Sequence, residues 1–349
     1  MKTIGFAAHS SDANMVPYHF ERRDLRPNDV AIEILYSGVC HSDLHTVNGD
    51  WGPQPYPLVP GHEIIGRVLE VGSEVTKYKV GDNVGVGCMV DSCLECDQCH
   101  NHEEQFCREG LTQTYGSPDR ITGEVNQGGY SKHIVVREEF VLRVPDGMDM
   151  SRAAPILCAG ITTYSPLRTW GVKEGTRVGV IGLGGLGHMA VKLAVAMGAE
   201  VTVLSRSTKK EEEAKAIGAK GILASTDRDA MKAARNSLDL IIDTVPVQHN
   251  VDAYTPLLDV DGTLAIVGQV GPMENFMSAF LVLGRRRVAG SLIGGIKETQ
   301  EVLDFCAEHD ISCDVEMLDI NNLNEAYERM KKGDVKYRFV IDMHTLKNG

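Results

Sequence analysis

The fold of this 349-residue chain is decided by residues 177–188, which read RVGVIGLGGLGH. The segment opens with a short apolar run, Arg177–Ile181, which predicts a buried strand. Glycines in the pattern G-x-G-x-x-G follow directly, and the apolar residues of His188–Met197 then recur at helical spacing. A strand, a glycine-rich turn and a helix in this order predict a βαβ unit that binds a dinucleotide at the turn.

Each of the three spaced glycines has a distinct task in such a turn. Gly182 permits the tight turn, Gly184 lets the backbone approach a pyrophosphate, and Gly187 lets the helix pack closely on the strand. The N-terminus of the helix offers free N–H groups and a partial positive charge to phosphates. The alternative is a turn without a ligand. The cofactor-binding residues predicted here are Gly182, Leu183, Gly184, Gly185, Leu186 and Gly187.

Strands and helices continue to alternate after this turn. Strands are predicted at Val201–Leu204, Leu238–Ile242 and Leu264–Val267, and a helix at Lys209–Ile217. This rhythm is typical of an α/β domain with a doubly wound parallel sheet, the Rossmann fold. We assign residues 153–288 to this cofactor-binding domain.

The part of the chain before residue 153 has a different pattern. Short runs rich in β-branched residues are separated by frequent glycines and prolines, which indicates tight turns and bulges. The predicted strands are Val30–Tyr36, Ile64–Val71, Asn83–Val86 and His133–Val136. These features predict an irregular, β-barrel-like domain over residues 1–152.

The end of the second Rossmann strand bears on the choice of cofactor. NAD sites usually carry Asp or Glu there, where it binds the ribose hydroxyls. This chain instead reads SRSTKK over residues 205–210, which offers hydroxyls and cations suited to a 2′-phosphate. The alternative is a solvated basic loop. The prediction is NADP(H), bound by Ser205, Arg206, Ser207 and Lys210.

Four cysteines lie close together in the pattern C-x2-C-x2-C-x7-C. Four thiolates at this spacing can complete a tetrahedron around Zn²⁺, which leaves no position open for a substrate and indicates a structural site. An iron–sulfur cluster is the alternative, although ferredoxin-like runs place Pro after the last Cys, where this chain has Arg108. The lobe spans residues 88–112, and its predicted zinc ligands are Cys93, Cys96, Cys99 and Cys107.

A second metal site is predicted from dispersed residues. Cys40 follows the first predicted strand, His62 directly precedes the second, and Cys158 stands near the domain boundary. Two cysteines and one histidine with an open fourth position form a known catalytic zinc set. The alternative is two buried thiols and an ordinary polar histidine.

Composition and charge exclude several classes of function. The formal net charge is −13, so an anionic nucleic acid is not an expected partner. No apolar run approaches the length of a membrane span, and residues 1–8 lack the features of a secretory signal. Nine cysteines without an export signal favour metal binding in the cytosol over disulfides. Cys88, Cys306 and Cys313 are interpreted as packing thiols.

Five stretches carry a resemblance to a known family. They are CHSDLH at 40–45, YPLVPGHE at 56–63, the four-cysteine lobe, LCAGITTY at 157–164 and the glycine turn at 182–188. In this order they resemble the zinc-dependent medium-chain alcohol dehydrogenases. More narrowly, the chain is similar to the cinnamyl alcohol dehydrogenase group and its microbial broad-range aldehyde reductases, over residues 25–342.

The resemblance implies a role for each matching residue. It implies that residues 1–152 and 289–349 form one catalytic, GroES-like domain. Cys40, His62 and Cys158 would hold a catalytic zinc, and Glu63 would exchange with its fourth ligand. Asp43 would orient His62, Ser42 would hydrogen-bond the substrate oxygen, and His45 would pass the proton outward by way of the cofactor ribose. The further cofactor contacts it implies are His41, Thr162, Thr244, Val245, Val267, Gly268, Ser291, Ile293 and Arg338.

The implied activity is reversible, NADP(H)-dependent hydride transfer between primary alcohols and aldehydes, aliphatic or aromatic, in a homodimer. Trp51 and Tyr115 are candidate residues of the substrate pocket. Two other classes of function stay open at this point. One is a metal-free quinone or enoyl reductase, which would lack the ligands at positions 40, 62 and 158. The other is a non-catalytic protein that senses nucleotides or redox state, which would not need Ser42 and His45.

Overall fold

A computed structural model of the chain describes residues 1–268, 271–273 and 276–347. The chain divides into two units. The first consists of Met1–Cys158 together with Gly294–Gly349, and the second is Ala159–Ile293. The sequence analysis set the corresponding boundaries at residues 152 and 288.

The strands, in chain order, are β1 (Lys2–Ala7), β2 (Val16–Glu21), β3 (Asp29–Val39), β4 (Ile64–Val71), β5 (Asn83–Val86), β6 (Met89–Asp91), β7 (Thr112–Gln113), β8 (His133–Arg137), β9 (Leu142–Arg143), β10 (Arg177–Ile181), β11 (Glu200–Ser205), β12 (Gly221–Ala224), β13 (Leu238–Asp243), β14 (Leu258–Ile266), β15 (Arg287–Gly290), β16 (Val315–Asp319) and β17 (Arg338–Asp342). The helices are α1 (His41–Asn48), α2 (Asp97–His100), α3 (Met150–Ala153), α4 (Ala159–Thr169), α5 (Gly185–Ala196), α6 (Glu211–Ala216), α7 (Arg228–Ala233), α8 (Ser278–Val282), α9 (Ile296–Glu308) and α10 (Leu323–Lys331). Short 3₁₀ turns lie at Glu104–Phe106, Glu138–Phe140, Ala154–Leu157, Val251–Ala253, Thr255–Leu257, Ile320–Asn322 and Met343–Thr345.

The first unit is built on one mixed sheet. Its strand order is β16-β17-β3-β4-β5-β9, and β8 pairs with β3 outside this path. The long strand β3 is antiparallel to β4, β8 and β17, and its register against β4 shifts at two places. Such bulges bend a sheet locally and strengthen its twist. The predicted irregular β domain is confirmed, and the predicted bounds of β4 and β5 match those observed.

The second unit contains a six-stranded sheet with the order β12-β11-β10-β13-β14-β15. Every neighbouring pair in it is parallel, so the predicted Rossmann-type sheet is confirmed. The strand before the glycine turn, β10, lies between β11 and β13, where the strand order changes direction. Ligands of open α/β sheets bind at the carboxyl end of this position. The buried core beneath it includes Ile181, Leu204, Ile241 and Leu264.

Two strands of this sheet, β12 and β15, were not predicted. They are the edge strands, and their side chains are half-buried or exposed. An edge strand of four residues gives only a weak apolar signal in a sequence. Separately, none of the helices within the described ranges is both long enough and apolar enough to cross a membrane.

Candidate active site

Four side chains that could hold a metal ion meet at the end of β3. They are Cys40, His62, Glu63 and Cys158, all buried, and one ligand atom from each lies within 4.8 Å of the others. The topology explains the meeting. Cys40 directly follows β3, and His62 and Glu63 directly precede its antiparallel neighbour β4. Cys158 arrives from the 3₁₀ turn Ala154–Leu157, which is itself buried.

The distances within this group fit a zinc ion. The Sγ atoms of Cys40 and Cys158 are 3.9 Å apart, and Nε2 of His62 is 3.2 Å from Sγ of Cys158. Tetrahedral zinc with Zn–S bonds of about 2.3 Å and Zn–N bonds of about 2.0 Å places its donor atoms roughly 3.5 to 3.8 Å apart. Three protein donors of this kind, with a fourth position open, are the ligand set of catalytic zinc.

The carboxylate of Asp43 holds the imidazole of His62 at Nδ1, the ring nitrogen that does not face the sulfurs. Oδ1 of Asp43 accepts hydrogen bonds from Nδ1 of His62 at 2.9 Å and from the backbone N–H of Gly61 at 3.1 Å. Oδ2 accepts from the backbone N–H of Cys40 and from the hydroxyl of Tyr130, both at 3.0 Å. Asp43 is fully buried. The ring of His62 is thereby oriented with Nε2 toward the sulfurs, as metal-bound imidazoles require.

The electrostatics of the group favour a bound cation. Burial lowers the pKa of His62, but the charge and hydrogen bond of Asp43 together with the effects of Cys88 and Cys40 outweigh it, so that the pKa of the imidazole lies well above its ordinary value. The hydrogen bond from Cys158 lowers the pKa of the Cys40 thiol, while the same bond raises the pKa of Cys158. One thiolate is therefore stabilised by sharing the proton of its neighbour. A metal ion would displace both the shared proton and the proton on Nε2.

Glu63 forms a buried ion pair with Arg338 on β17. The Arg338 side chain is 3% exposed, and burial raises the pKa of Glu63 to about 7 against the opposing effect of Arg338. The second carboxylate oxygen of Glu63 lacks a hydrogen-bond partner among the described residues. A glycine at position 38 makes room for this side chain, since a Cβ there would lie 1.9 Å from the same oxygen. The sequence analysis implied a cofactor contact for Arg338, and the contact that the structure gives it is the ion pair with Glu63.

Helix α1, which begins directly after Cys40, carries Ser42 and His45. The Ser42 hydroxyl lies 3.6 Å from Sγ of Cys40, and His45 follows one turn later on the same helix face. Nδ1 of His45 lies 2.7 Å from the carboxylate of Asp50, a residue that the sequence analysis missed. The helix ends at Gly49, whose φ of 75° turns the chain back and places Asp50 beside His45.

Several other predicted site residues surround this group. The Tyr115 ring is buried, with its centroid 5.9 Å from that of His62, and burial together with the charge of Asp43 raises its pKa well above the ordinary value. Trp51 is 45% exposed, and its ring lies 5.3 Å from that of His45. His41 is half-buried at the start of α1. The Cys88 thiol, interpreted as packing, lies beside this site: its Sγ is 3.7 Å from the carbonyl oxygen of Leu157, and a hydrogen bond with Cys158 lowers its pKa.

The four-cysteine lobe forms a second cluster of thiols. The sulfurs of Cys93, Cys96, Cys99 and Cys107 lie within 4.8 Å of one another. Sγ of Cys99 is 3.8 Å from that of Cys93 and 3.6 Å from that of Cys96, which are again the distances expected across a zinc tetrahedron. Backbone N–H groups of Cys93, Cys96 and Arg108 point at these sulfurs from 3.4 Å and stabilise negative charge there.

The glycine turn has the geometry that its pattern predicts. Gly182 has a φ of 88°, which favours glycine, and α5 begins at Gly185. A Cβ on Gly187 would lie 2.1 Å from the carbonyl oxygen of Gly182, so only glycine permits this packing. Gly184 is exposed, and nothing lies within 4 Å of a Cβ built there. Its backbone is therefore accessible to a ligand. Leu183 and Leu186 complete the turn, and Leu183 is buried.

The basic segment after β11 lies next to this turn. Ser205 is half-buried, Arg206 and Ser207 are exposed, and Nζ of Lys210 donates to the carbonyl oxygen of Leu183 at 3.1 Å. This contact joins the segment to the glycine turn.

The remaining predicted cofactor residues of the second unit lie mostly at the carboxyl ends of its strands. The Thr244 hydroxyl donates to the carbonyl of Ile181 at the end of β10, and the N–H groups of Val267 and Gly268 both donate to Asp243 at the end of β13. The remaining members of this set are Thr162 in α4, Val245 after β13, and Ser291 and Ile293 after β15.

Comparisons with known proteins agree with this geometry. Residues 26–146 match the family described as alcohol dehydrogenase GroES-like domain, and residues 185–308 match the zinc-binding dehydrogenases. The chain is 53% identical over 352 residues to NADP-dependent alcohol dehydrogenase C 1 of Mycolicibacterium smegmatis, with 100% of both chains covered. It is 51% identical over 348 residues to the aldehyde reductase YahK of Escherichia coli, with 99% of each covered.

A solved structure also resembles the chain over nearly its whole length. The cinnamyl alcohol dehydrogenase of Helicobacter pylori, complexed with NADP(H), superposes with a TM-score of 0.93 at 44% identity, over 99% of both chains. Both metal-ligand clusters, the two sheets and these matches lead to one assignment. The chain belongs to the zinc-binding dehydrogenases of the alcohol dehydrogenase family.

Proposed function

We propose that the protein is a zinc-dependent, NADP(H)-dependent alcohol dehydrogenase that also acts as an aldehyde reductase. Its substrates are primary alcohols and the matching aldehydes, aliphatic or aromatic, including those of the cinnamyl type. The observation that carries this proposal is the convergence of Cys40, His62 and Cys158 beside Ser42. The names of the relatives, which include an aldehyde reductase and NADP-dependent alcohol dehydrogenases, support it.

In this proposal each residue of the site has one task. When bound, zinc supplies Lewis-acid polarisation of the carbonyl oxygen and the reduced nicotinamide supplies the hydride. Cys40, His62 and Cys158 hold the metal. The Ser42 hydroxyl donates its proton to the substrate oxygen as the aldehyde becomes an alcohol. His45, which is half-buried at the solvent side of α1, returns a proton to Ser42, and the reverse reaction releases it.

The preference for NADP(H) rests on the segment after β11. Arg206 and Ser207 are exposed there and can reach a 2′-phosphate, and no carboxylate competes with it at the strand end. We expect kcat/KM with NADPH to exceed that with NADH by at least about 10-fold. Arg206→Ala should reduce kcat/KM for NADPH alone, whereas Lys232→Ala, an exposed cation on α7, should change neither value. A higher value with NADH in the wild type would contradict the preference.

Metal content tests the zinc centre directly. The wild type should contain two zinc ions per chain, and Cys40→Ala should keep one and lose turnover by about 10³-fold or more. Cys306→Ala removes another fully buried thiol, which belongs to neither cluster, and should keep both metals and full activity. Full activity in Cys40→Ala would reject this function and favour the metal-free reductase.

Two further properties belong to the proposal. We propose a homodimer, because β15 is an edge strand beside exposed apolar side chains of the segment after α8. We also propose that the protein works in the cytosol, where its nine cysteines, none of which forms a disulfide, would be kept reduced. The assigned reaction class is that of alcohol dehydrogenase with NADP⁺ as acceptor.

A further inference from the structure

The hydroxyl of Tyr130 reaches the metal site from outside the ligand segments. It donates to Oδ2 of Asp43 at 3.0 Å, and Asp43 in turn holds Nδ1 of His62. The other three donors to Asp43 at 2.9 to 3.1 Å belong to residues 40, 61 and 62, which are ligands or direct neighbours of ligands. Tyr130 comes 87 residues after Asp43 in the chain and supplies the remaining hydrogen bond.

The position of this tyrosine is fixed by the loop that carries His62. Its backbone N–H donates to the carbonyl of Pro60 at 3.0 Å, and the N–H of Gly129 donates to that of Gly61 at 2.8 Å. Its ring lies against Gly61, where a Cβ would be only 2.6 Å from a ring carbon. Gly61 also has a φ of 103°, which few other residues adopt. Because the backbone and the ring of Tyr130 are both held in this way, the hydroxyl is directed at the carboxylate of Asp43.

The hydrogen bond is buried on both sides. Tyr130 and Asp43 are each fully buried, so water does not compete for the carboxylate. In such an environment a charged carboxylate depends on all of its donors, because no water molecule replaces a hydrogen bond that is lost. Without Tyr130, Oδ2 would keep the N–H of Cys40 as its remaining donor at hydrogen-bond distance. The carboxylate would then be freer to shift, and the imidazole that it orients would shift with it.

We propose that Tyr130 is a positioning residue for the catalytic metal, acting through Asp43 on His62. This inference rests on the proposed zinc centre. Residues that orient a metal ligand typically change metal affinity or activity by about 10- to 100-fold when they are removed. We therefore expect Tyr130→Phe, which keeps the ring and removes the hydroxyl, to release the catalytic zinc about 10-fold faster than the wild type.

The experiment follows zinc release from the purified protein with the chromogenic chelator 4-(2-pyridylazo)resorcinol. Zinc should be released in two phases, one from each site. The zinc of the four-cysteine lobe serves as an internal reference, and Cys40→Ala, which keeps only that zinc, identifies its phase. Tyr130→Phe should accelerate the catalytic phase alone. The matched control is Tyr78→Phe, which also removes a hydroxyl hydrogen bond, at 2.5 Å to Val141, but away from the site. It should leave both phases unchanged.

A second readout separates positioning from packing. Cobalt(II) in the catalytic site reports ligand geometry through its visible absorption bands, and these should shift in Tyr130→Phe and not in Tyr78→Phe. Incorporation of 3-fluorotyrosine at position 130 keeps the hydroxyl and makes it a stronger donor, so zinc release should be no faster than in the wild type. Unchanged release and unchanged cobalt bands in Tyr130→Phe, or fast release with 3-fluorotyrosine, would overturn the inference. A wild type with one zinc per chain would instead reject the proposed function, and the inference with it.

Discussion

The carboxylate of Asp50 gives His45 a defined orientation at the outer end of the site. At 2.7 Å it accepts a hydrogen bond from Nδ1, and in the proposed mechanism Nε2 is therefore the nitrogen that exchanges a proton with Ser42. Asp50 contacts none of the metal ligands by any hydrogen bond of the described residues. In the proposed mechanism, the histidine that transfers the proton and the histidine that binds the metal are thus held by different carboxylates, Asp50 and Asp43.

This separation makes a prediction for Asp50→Asn. An amide in its place can rotate to offer an N–H, which would favour the wrong tautomer of His45, so kcat should fall by roughly 10-fold. Zinc content and KM for the coenzyme should not change. Asp342→Asn is the matched control, because Asp342 holds His344 at the surface by the same kind of contact at 2.8 Å. Steady-state kinetics measure the effect, and an unchanged kcat in Asp50→Asn would exclude this role.

The sequence could predict the role of some residues of the site but not of others. The four cysteines of the lobe were predicted from spacing, because one short segment supplies all the ligands. Cys40, His62 and Cys158 needed the family resemblance, because the pairing of β3 with β4 and a 3₁₀ turn bring them together. The position of Asp50 beside His45 depends on the left-handed cap at Gly49, and no metal-binding or catalytic sequence motif predicts that cap.

Among the secondary-structure elements, the predicted bounds agree with the observed bounds where the residues are buried and the apolar pattern is local. The bounds of β4, β5 and β10 were predicted to the residue, since each is a short apolar run with turn formers beside it. The predicted strand at 264–267 is longer in the structure: β14 starts at Leu258 and ends at Ile266. Its first half contains exposed, acidic residues. Leu258 pairs with Leu238 of β13, the register then shifts, and pairing resumes at Thr263, so residues 259–262 form an irregularity that no apolar pattern predicts.

The turn between β10 and α5 allows two glycines to be compared within one element. Gly187→Ala should lower the melting temperature by several degrees, because its Cβ would clash with the carbonyl of Gly182. Gly184→Ala should leave the melting temperature unchanged, because nothing lies near the added methyl group. If the backbone at Gly184 contacts the pyrophosphate, this variant should still weaken NADPH binding by about 10-fold or more. Calorimetry and fluorescence titration of NADPH measure the two effects.

The NADPH affinity of Gly184→Ala decides whether the open space above Gly184 is a ligand site. An alanine variant that binds NADPH as the wild type does would show that the backbone of Gly184 does not approach the coenzyme. A loss of stability in Gly184→Ala without any change in affinity would contradict the geometry of the turn itself.

For the whole molecule, the return of the chain after residue 293 is the feature that composition could not predict. Strand β17 adds to β3 in an antiparallel pair, and β16 adds to β17 in a parallel pair. These long-range pairings place Arg338 beside Glu63, 275 residues earlier in the chain. The grouping of residues 289–349 with residues 1–152 therefore came from the family resemblance, because neither segment contains a local signal for the other.

At the same scale, the exposed apolar residues near the sheet edge test the proposed homodimer. Leu283 and Val282 are 84% and 77% exposed; Val282 is the last residue of α8, and Leu283 follows it in the segment that leads to the edge strand β15. Large aliphatic side chains at such exposure favour burial against another chain, and each full burial is worth about 1.5 to 3 kcal/mol. A charge at position 283 would have to be buried unpaired in that interface, which costs more than the burial gains.

We expect Leu283→Glu to be a monomer by analytical ultracentrifugation at micromolar concentrations where the wild type is a dimer. Its circular dichroism and zinc content should match those of the wild type, because Leu283 supports no core of the described residues. The matched control is Ile121→Glu, which adds the same charge at an aliphatic residue that is 74% exposed in the first unit. It should stay dimeric. A wild type that sediments as a monomer, or a Leu283→Glu variant that still forms the dimer, would show that the chain does not associate through this surface.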